Sequence, residues 1–426
     1  GTKYLYGWID FNGDGIFSQN EGATASGEIG LLGTNSLKLT WPKTVIPTSV
    51  PTSGKVYARF RLSKDPLINT NNSNPTAIDT RSFGLSSSIG EVEDYQFIVS
   101  NDYDYGDLPV SYETNRLGEI LPARQAPSNI LRLGASVATE SSPNSVSPGA
   151  DNNGANGEGA DKDAMNIIPI YKGTNYYSRV SVMNASTPFV GSSRKLYGWI
   201  DFNNDGRFQA SEVAETFVSS SENQQKVTLK WDKDLTNTIP AGVKNVYMRL
   251  RISDTTLTDF TDLVGGDIVD ERSIGDGIAN TGYDAVSIGE IEDYFIPVGD
   301  FYDYGDLPDS YDTNLSGTVV PARQVASEAL FLGDLIPDVE STKYTSNNAL
   351  GDNINGINDE DGIRIVTPMV NSSSVSYAMQ AKVTNFTGVA KTLYAWMDLN
   401  GDGRFEAAEA KTIQIPHGSD GLIVHL

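Results

Sequence analysis

Three loops of twelve residues carry oxygen-bearing side chains at the spacing of a calcium-binding loop. They read DFNGDGIFSQNE from Asp10, DFNNDGRFQASE from Asp201 and DLNGDGRFEAAE from Asp398, and we call them the first, middle and last loops. Asp or Asn at positions 1, 3 and 5, Gly at position 6 and Glu at position 12 match the pattern D-x-[DN]-x-[DN]-G-x5-E. A hard cation needs such oxygens to converge around a tight turn, where position 7 adds its carbonyl. The predicted Ca2+ ligands are Asp10, Asn12, Asp14, Ile16 and Glu21, then Asp201, Asn203, Asp205, Arg207 and Glu212, and finally Asp398, Asn400, Asp402, Arg404 and Glu409.

A single such loop is also what a turn rich in Asp, Asn and Gly looks like. The three copies share the same ligand positions and the same Phe at position 8, and this recurrence favours calcium. Aromatic and apolar runs without a helical period precede the loops (YLYGWI, KLYGWI and TLYAWM), which predicts strands. An ion here would therefore brace the end of a strand, since sensor behaviour requires a helix pair that opens. The Trp of each run is predicted to be core rather than a sugar-stacking platform: Trp8, Trp199 and Trp396.

The composition narrows the range of partners. The chain has 426 residues, 31 Lys plus Arg, 55 Asp plus Glu and a formal charge of −24. Such a charge repels nucleic acid and anionic membranes, so neither is expected as a partner. Without cysteine, disulfides and thiol nucleophiles are excluded. No apolar run approaches the length of a membrane helix, and a start without Met inside a repeat suggests a piece of a longer protein.

The whole chain is organised as a long repeat. Successive loops lie 191 and 197 residues apart, GEVEDY at Gly90 returns as GEIEDY at Gly289, and DYGDLP at Asp104 returns at Asp303. A period of this length is too long for a solenoid unit, so each repeat comprises one or two domains. Short alternating runs such as KVYARFRLS predict an all-β fold of tandem antiparallel β-sandwiches, Ig-like or fibronectin-like, joined by Pro- and Asp-rich linking segments.

The predicted domains follow the repeat. They are a partial sandwich (1–100) without its first strands, a linking segment (101–166), a complete sandwich (167–298), an acidic linking segment (299–362) and a partial sandwich (363–426) without its last strands. Truncation of a longer array explains the partial ends, and strand exchange between neighbouring chains is the alternative. The second linking segment ends in LGDNINGINDEDGI, which is either a solvated acidic loop or a second calcium site. Its candidate ligands are Asp352, Asp359, Glu360 and Asp361.

The sequence GEVEDY or GEIEDY, after an LYGWIDFNGDG loop and an Arg-x-Arg strand, resembles the GEVED domain of bacterial secreted and surface proteins. The DYGDLP, PARQ and LGD landmarks resemble the linking segment that accompanies it in large repeat proteins, often of Bacteroidota. The resemblance implies multidomain exported proteins, including adhesins and gliding-type surface filaments, that are frequently cargo of the type nine secretion route. The same domain also accompanies exported hydrolases.

The GEVEDY carboxylates have two possible roles, as ion-pair partners or as added metal ligands. Period-two alternation places both Glu of each strand on one face, where two Arg of the neighbouring strand could satisfy them. Structural ion pairs are therefore predicted among Arg59, Arg61, Glu91 and Glu93, and among Arg249, Arg251, Glu290 and Glu292.

No catalytic motif is recognisable in the sequence. It contains no nucleophile elbow, P-loop, zinc motif or Gly-rich dinucleotide turn, and the histidines His417 and His425 have no repeat counterparts. We therefore expect a non-enzymatic, calcium-stabilised structural or adhesive segment of an extracellular bacterial cell-surface protein, such as an adhesin or filament stalk. The alternative is an accessory binding module of an exported hydrolase. Expected partners are further repeats of the same protein and surface glycans or proteins, without direct membrane insertion.

Overall fold

The structure is a computed structural model, and it forms two compact units, Gly1–Asp102 and Tyr103–Leu426. The residues that it describes are 1–28, 37, 39–41, 54–71, 74–84, 88–99, 102–139, 143, 162–185, 194–259, 268–277, 287–347, 349, 351, 359–364 and 378–426. In this part of the chain, no helix is long and apolar enough to cross a membrane.

The first unit contains a four-stranded antiparallel sheet. Its strands are β1 (Thr2–Ile9), β2 (Gly22–Glu28), β3 (Gly54–Ser63) and β4 (Gly90–Val99), in the order β2-β1-β3-β4. The first loop joins β1 to β2, so it lies at one end of an antiparallel pair. The aromatic run before the loop therefore forms the strand that the sequence predicts.

The second unit holds most of the strands. They are β5 (Asp104–Tyr105), β6 (Arg124–Gln125), β7 (Leu131–Leu133), β8 (Tyr176–Asn184), β9 (Lys195–Ile200), β10 (Val213–Phe217), β11 (Ser221–Trp231), β12 (Asn245–Ser253), β13 (Gly289–Pro297), β14 (Asp303–Tyr304), β15 (Arg323–Gln324), β16 (Leu330–Leu332), β17 (Ile363–Arg364), β18 (Gln380–Asn385), β19 (Lys391–Trp396), β20 (Ala410–Ile415) and β21 (Ser419–His425). The only α-helix of the described residues is α1 (Lys233–Thr236), and short 3₁₀ turns lie at Gln19–Glu21, Thr80–Ser82, Val110–Glu113, Ala210–Glu212, Glu271–Ser273 and Ala407–Glu409.

The middle repeat is a β-sandwich. One sheet has the order β10-β9-β12-β13 and the other β11-β8-β7, and their paired strands run antiparallel. A single apolar core draws on both sheets, with Val180, Val182 and Leu229 on one side and Met248 and Leu250 on the other. Each such side chain contributes about 1.5–3 kcal/mol when it is fully buried. The all-β, antiparallel sandwich prediction is confirmed.

Strands β9, β12 and β13 of the sheet β10-β9-β12-β13 are buried on both faces. The outer face of this sheet packs against residues 104–125, the front part of the linking segment, which we call the docking strip. Leu108 and Tyr112 of this strip form a second buried cluster with Tyr197, Trp199 and Phe208 of the sandwich. The docking strip is therefore part of the folded unit rather than a spacer.

The last repeat has an analogous arrangement. Strand β18 pairs with β16, β17 and β21, and β19 pairs with β20 across the last loop. Its smaller core includes Ala381, Val383, Ile415 and Val424.

Candidate metal loops

The first half of each loop is folded by its own polar side chains. In the first loop, the N–H of Asp14 donates both to Asp10 Oδ1 at 3.1 Å and to Asn12 Oδ1 at 2.9 Å. Oxygens from positions 1 and 3 thus meet at one point on the inside of the turn. The N–H of Gly15 donates to Asp10 Oδ2 at 2.9 Å, and Gly15 has a φ of 80°, a conformation that favours glycine.

The glutamate at position 12 joins the two ends of the loop. Glu21 accepts from the N–H of Phe11 at 3.0 Å and from the N–H of Ser18 at 2.9 Å. Glu212 and Glu409 make the corresponding contacts, to Phe202 and Gln209 and to Leu399 and Glu406. The same two contacts in three copies show that position 12 has the same structural role in each loop.

A short segment later in each of the first two repeats, at Asp79 and at Asp270, forms hydrogen bonds with the second half of the loop and with the Trp before it. The N–H of Asp79 donates to the carbonyl of Phe17 at 2.8 Å, and Trp8 Nε1 donates to Asp79 Oδ2 at 3.0 Å. Asp270 makes the same two contacts with Phe208 and Trp199. Sequence reasoning missed both Asp residues, although the recurrence of DTRSFG and DERSIG could have revealed them.

The indoles before the first two loops are core residues, as predicted. Trp8 and Trp199 are fully buried. Trp396 differs, because 47% of its surface is exposed in the last repeat.

The middle loop concentrates negative charge in a buried place. Burial and the nearby carboxylate of Asp201 raise the pKa of Glu212 to about 8, although hydrogen bonds from backbone N–H groups oppose the shift. Burial also raises the pKa of Asp201. Among the described residues, no Lys or Arg forms an ion pair with either carboxylate. A hard, multiply charged cation fits this donor set, since carboxylate, amide and carbonyl oxygens are the ligands that Ca2+ prefers.

The predicted ligands of each loop are only partly brought together. Positions 1 and 12 are buried in the first and middle loops, whereas Asn12, Asp14, Asn203 and Asp205 are exposed. Position 7 contributes an N–H that donates to the position-5 carboxylate in each copy: Ile16 to Asp14, Arg207 to Asp205 and Arg404 to Asp402. Across the described ranges, no three Asp, Glu or His side chains converge as a metal cluster. The calcium assignment stays a prediction that the donor chemistry and the buried charge support.

The proposed second metal site is described only in part, since Asp352 lies outside the described residues. Asp361 Oδ2 accepts from the N–H of Asp334 at 2.8 Å, and Asp359 Oδ2 accepts from the N–H of Asp338 at 3.1 Å. Glu360 is exposed. These contacts give Asp361 and Asp359 a role in holding the turn after β16, while a metal there stays a prediction.

The predicted Arg–Glu ion pairs are wrong. The strand register places Arg59 opposite Asp94, while Glu93 lies opposite Phe60, so the Arg and Glu side chains lie on different faces. In the middle repeat, Arg249 likewise lies opposite Asp293, and Glu292 opposite Leu250.

The other residues predicted to form these ion pairs make different contacts. Arg61 and Arg251 donate to backbone carbonyls. Glu93 accepts from the Tyr95 hydroxyl, Glu290 accepts from the N–H of Leu133, and Glu292 accepts from the N–H of Ala164. Glu91 is exposed.

The actual ion-pair cluster of the middle repeat includes the docking strip. Arg249 reaches Asp293 Oδ2 at 2.7 Å and Glu113 Oε1 at 2.5 Å, and all three side chains are fully buried. Arg249 also donates to the carbonyl of Ser273 at 2.8 Å. Desolvation would lower the pKa of Arg249, but the two carboxylates raise it well above its ordinary value. Sequence reasoning missed Glu113 because it lies 136 residues before Arg249.

Comparison with known families agrees with this repeat structure. A family model of the GEVED domain matches residues 4–98 and 195–297. Both matches begin in the strand before a loop and end in the strand that carries GEVEDY or GEIEDY. No curated protein matches the chain. The GEVED domain is thus a repeated element of this chain.

Proposed function

We propose that this chain, with its two GEVED domain segments, is a calcium-stabilised structural and adhesive part of a bacterial cell-surface protein. The observation that carries the proposal is the buried carboxylate pair Asp201 and Glu212. Both belong to a loop with calcium-ligand spacing, and the described residues supply no cation partner for them. Burial without a counter-ion disfavours the ionised forms of these two carboxyl groups, and a bound divalent cation would favour them.

The residues of the chain prepare the loop for such an ion. Backbone donors fix Asp201 at position 1, and Glu212 bridges the loop entry and exit. The segment around Asp270 anchors the second half of the loop to the sandwich. The side chains of Asn203 and Asp205 are exposed, and they would turn toward the ion to contribute further oxygens to its shell.

Contacts inside the second unit support further repeats as partners. Glu328, in the second linking segment, is buried and accepts from the N–H of Arg179 in β8 at 2.8 Å. The guanidinium of Arg179 lies 4.2 Å from the ring centre of Phe386 and pairs with Asp420 at 3.1 Å, so it also contacts the last sandwich. A joint with a buried carboxylate and a cation–π contact favours a fixed arrangement of consecutive sandwiches.

The resemblance to GEVED-containing repeat proteins supports an extracellular location and export by the type nine route, in an adhesin or a gliding-type surface filament. The formal charge of −24 supports the calcium part of the proposal, because bound divalent cations would offset part of the repulsion between the acidic groups. Surface glycans or proteins are the proposed adhesive partners, and no catalytic role is proposed.

A calcium titration of the chelator-treated chain tests the metal part of the proposal. We expect saturable heat of binding in isothermal titration calorimetry, with one site lost in Asp201→Asn and in Glu212→Gln. Asp232→Asn is the matched control, since Asp232 pairs with Lys230 on the surface outside the loops. Absence of any calcium uptake by the folded chain would disprove the metal part.

Surface exposure is a separate question. We expect antibodies against the second unit to label intact cells of the source bacterium. Labelling only after permeabilisation would contradict a cell-surface location.

A further inference from the structure

A tyrosine of the linking segment reaches the first ligand position of the loop in two repeats. The Tyr112 hydroxyl donates to Asp201 Oδ2 at 2.5 Å, and the Tyr311 hydroxyl donates to Asp398 Oδ2 at 2.9 Å. The two tyrosines occupy the same place in the repeat, in DLPVSY and DLPDSY. The contact is therefore a repeated feature of the fold rather than a single event.

The surroundings of the two tyrosines are also repeated. The ring centres of Tyr112 and Phe208 lie 4.9 Å apart, and those of Tyr311 and Phe405 lie 4.8 Å apart. In both cases the Phe is position 8 of the loop. Each ring thus packs on the loop while its hydroxyl reaches the carboxylate.

The serine before each tyrosine lies close to the glycine at position 6 of the loop. A Cβ added to Gly206 would lie 3.2 Å from Ser111 Oγ, and one added to Gly403 would lie 3.2 Å from Ser310 Oγ. Both glycines have positive φ angles, 83° and 81°. Glycine at position 6 therefore serves two purposes, since it allows the turn and leaves room for the linking segment.

The hydroxyl shares its acceptor with the loop backbone. Asp201 Oδ2 accepts from the N–H of Gly206 at 2.9 Å as well as from Tyr112, and Asp201 Oδ1 accepts from the N–H of Asp205 at 3.1 Å. Three donors in fixed positions set the plane of this carboxylate. Partners of this kind hold metal ligands in the geometry for binding.

We propose that Tyr112 and Tyr311 are positioning residues that couple ion binding in their loops to docking of the linking segment. This inference rests on the proposed calcium binding. If a docked tyrosine favours the ion, the ion must favour the docked tyrosine by the same factor, because coupling between two binding events is reciprocal. Calcium would then fasten residues 104–125 to the middle sandwich and residues 303–324 to the last one.

Hydrogen exchange of the whole chain, with calcium or with chelator, tests the coupling. We expect calcium to slow exchange in residues 104–125, and Tyr112→Phe to remove most of this slowing. The calcium affinity of the middle loop should fall about tenfold in this variant, the lower end of the effect of losing an outer partner of a metal ligand. The aromatic ring stays in place, so a cooperative melting transition in chelator should show that the variant still folds.

Tyr302→Phe is the matched control. It removes a hydroxyl from the second linking segment that contacts Tyr171 instead of a loop. We expect it to leave both the exchange of residues 104–125 and the affinity of the middle loop unchanged. Tyr311→Phe provides an independent second case, with the loss confined to residues 303–324 and the last loop.

The possible outcomes separate the two proposals. Calcium uptake with wild-type affinity and calcium-dependent exchange in Tyr112→Phe and Tyr311→Phe would overturn the coupling and leave the calcium proposal intact. No uptake by the wild-type chain would overturn both. If Tyr112→Phe and Tyr302→Phe both lowered the calcium affinity of the middle loop, the cause would be a general loss of packing rather than the Tyr112–Asp201 contact. That result would also overturn the positioning role.

Discussion

The same arginine–aspartate pair occurs in two very different environments in the two units. In the first unit, Arg59 and Asp94 lie 2.6 Å apart with 31% and 57% of their side chains exposed. In the middle repeat, Arg249 and Asp293 lie 2.7 Å apart with neither exposed. The strands and the register are alike. In the middle repeat, the docking strip covers the pair and adds Glu113 to it.

The comparison shows that the repeat motif alone does not determine how much a charged pair contributes to stability. An exposed pair contributes about 0–1 kcal/mol, because water and salt screen it. A buried cluster is different, since removing one partner leaves other charges uncompensated in a low dielectric. In the middle repeat, the linking segment thus makes Arg249 part of a buried core.

The largest expected effect comes from Arg249→Ala. This change leaves Asp293 and Glu113 buried together without their cation, and we expect it to destabilise the second unit by about 3–5 kcal/mol. Hydrogen exchange at equilibrium is the appropriate measurement, because it reports on the two units separately and they need not unfold together. Arg59→Ala is the matched control. Equal losses from both variants would contradict the role given to the docking strip.

A second prediction concerns the pH dependence of the middle repeat. Burial, followed by repulsion from Asp293, raises the pKa of Asp107 from 3.8 to about 6, although Lys162 opposes the shift. The folded state then binds the proton more tightly than the unfolded state, so this group destabilises the fold once it ionises. The cost is absent below about pH 4, grows between pH 4 and 6 and is complete above pH 6.

Asp107→Asn tests this assignment. Relative to the wild type, we expect the variant to be more stable by about 1–2 kcal/mol at pH 8, a gain that is reduced by the lost contact with Lys162. The difference should shrink toward zero near pH 4 in urea unfolding curves of the two proteins. A difference that grows as the pH falls would show that the sign is wrong.

The smallest expected effect is that of Arg59→Ala in the first unit. We expect a loss below about 1 kcal/mol, which disappears in about 1 M salt because exposed charges are screened. The measurement is hydrogen exchange of β3 amides at low and high salt. A salt-independent loss of several kcal/mol would show that this pair is covered in solution.

The sequence predicted the local elements of the fold well. Alternation identified β3 (Gly54–Ser63) and β12 (Asn245–Ser253), and the aromatic runs identified the strands before the loops. These predictions work because side-chain period and turn chemistry are local properties of the chain. The loop motif was recognised for the same reason, as its spacing lies within twelve residues, while its role as a calcium site stays a prediction.

The ion-pair partners could not be predicted in this way. A shift of one residue in strand register moves every side chain to the other face, and this shift decides between Glu93 and Asp94 as the partner of Arg59. Glu113 and Tyr112 were missed because they reach the sandwich from a distant segment. For Tyr112, the sequence did contain a signal, because the tyrosine recurs at the end of DLPVSY and DLPDSY.

Thermal unfolding of the whole chain in calcium and in chelator tests the central claim most directly. Ion binding only to the folded state should stabilise each loop-bearing domain by about 2.7 kcal/mol at a hundredfold excess over Kd. We predict a higher melting temperature in calcium, with a smaller shift in the Asp201→Asn variant. Coincident curves in calcium and chelator, with no ion retained by the folded protein, would contradict the account.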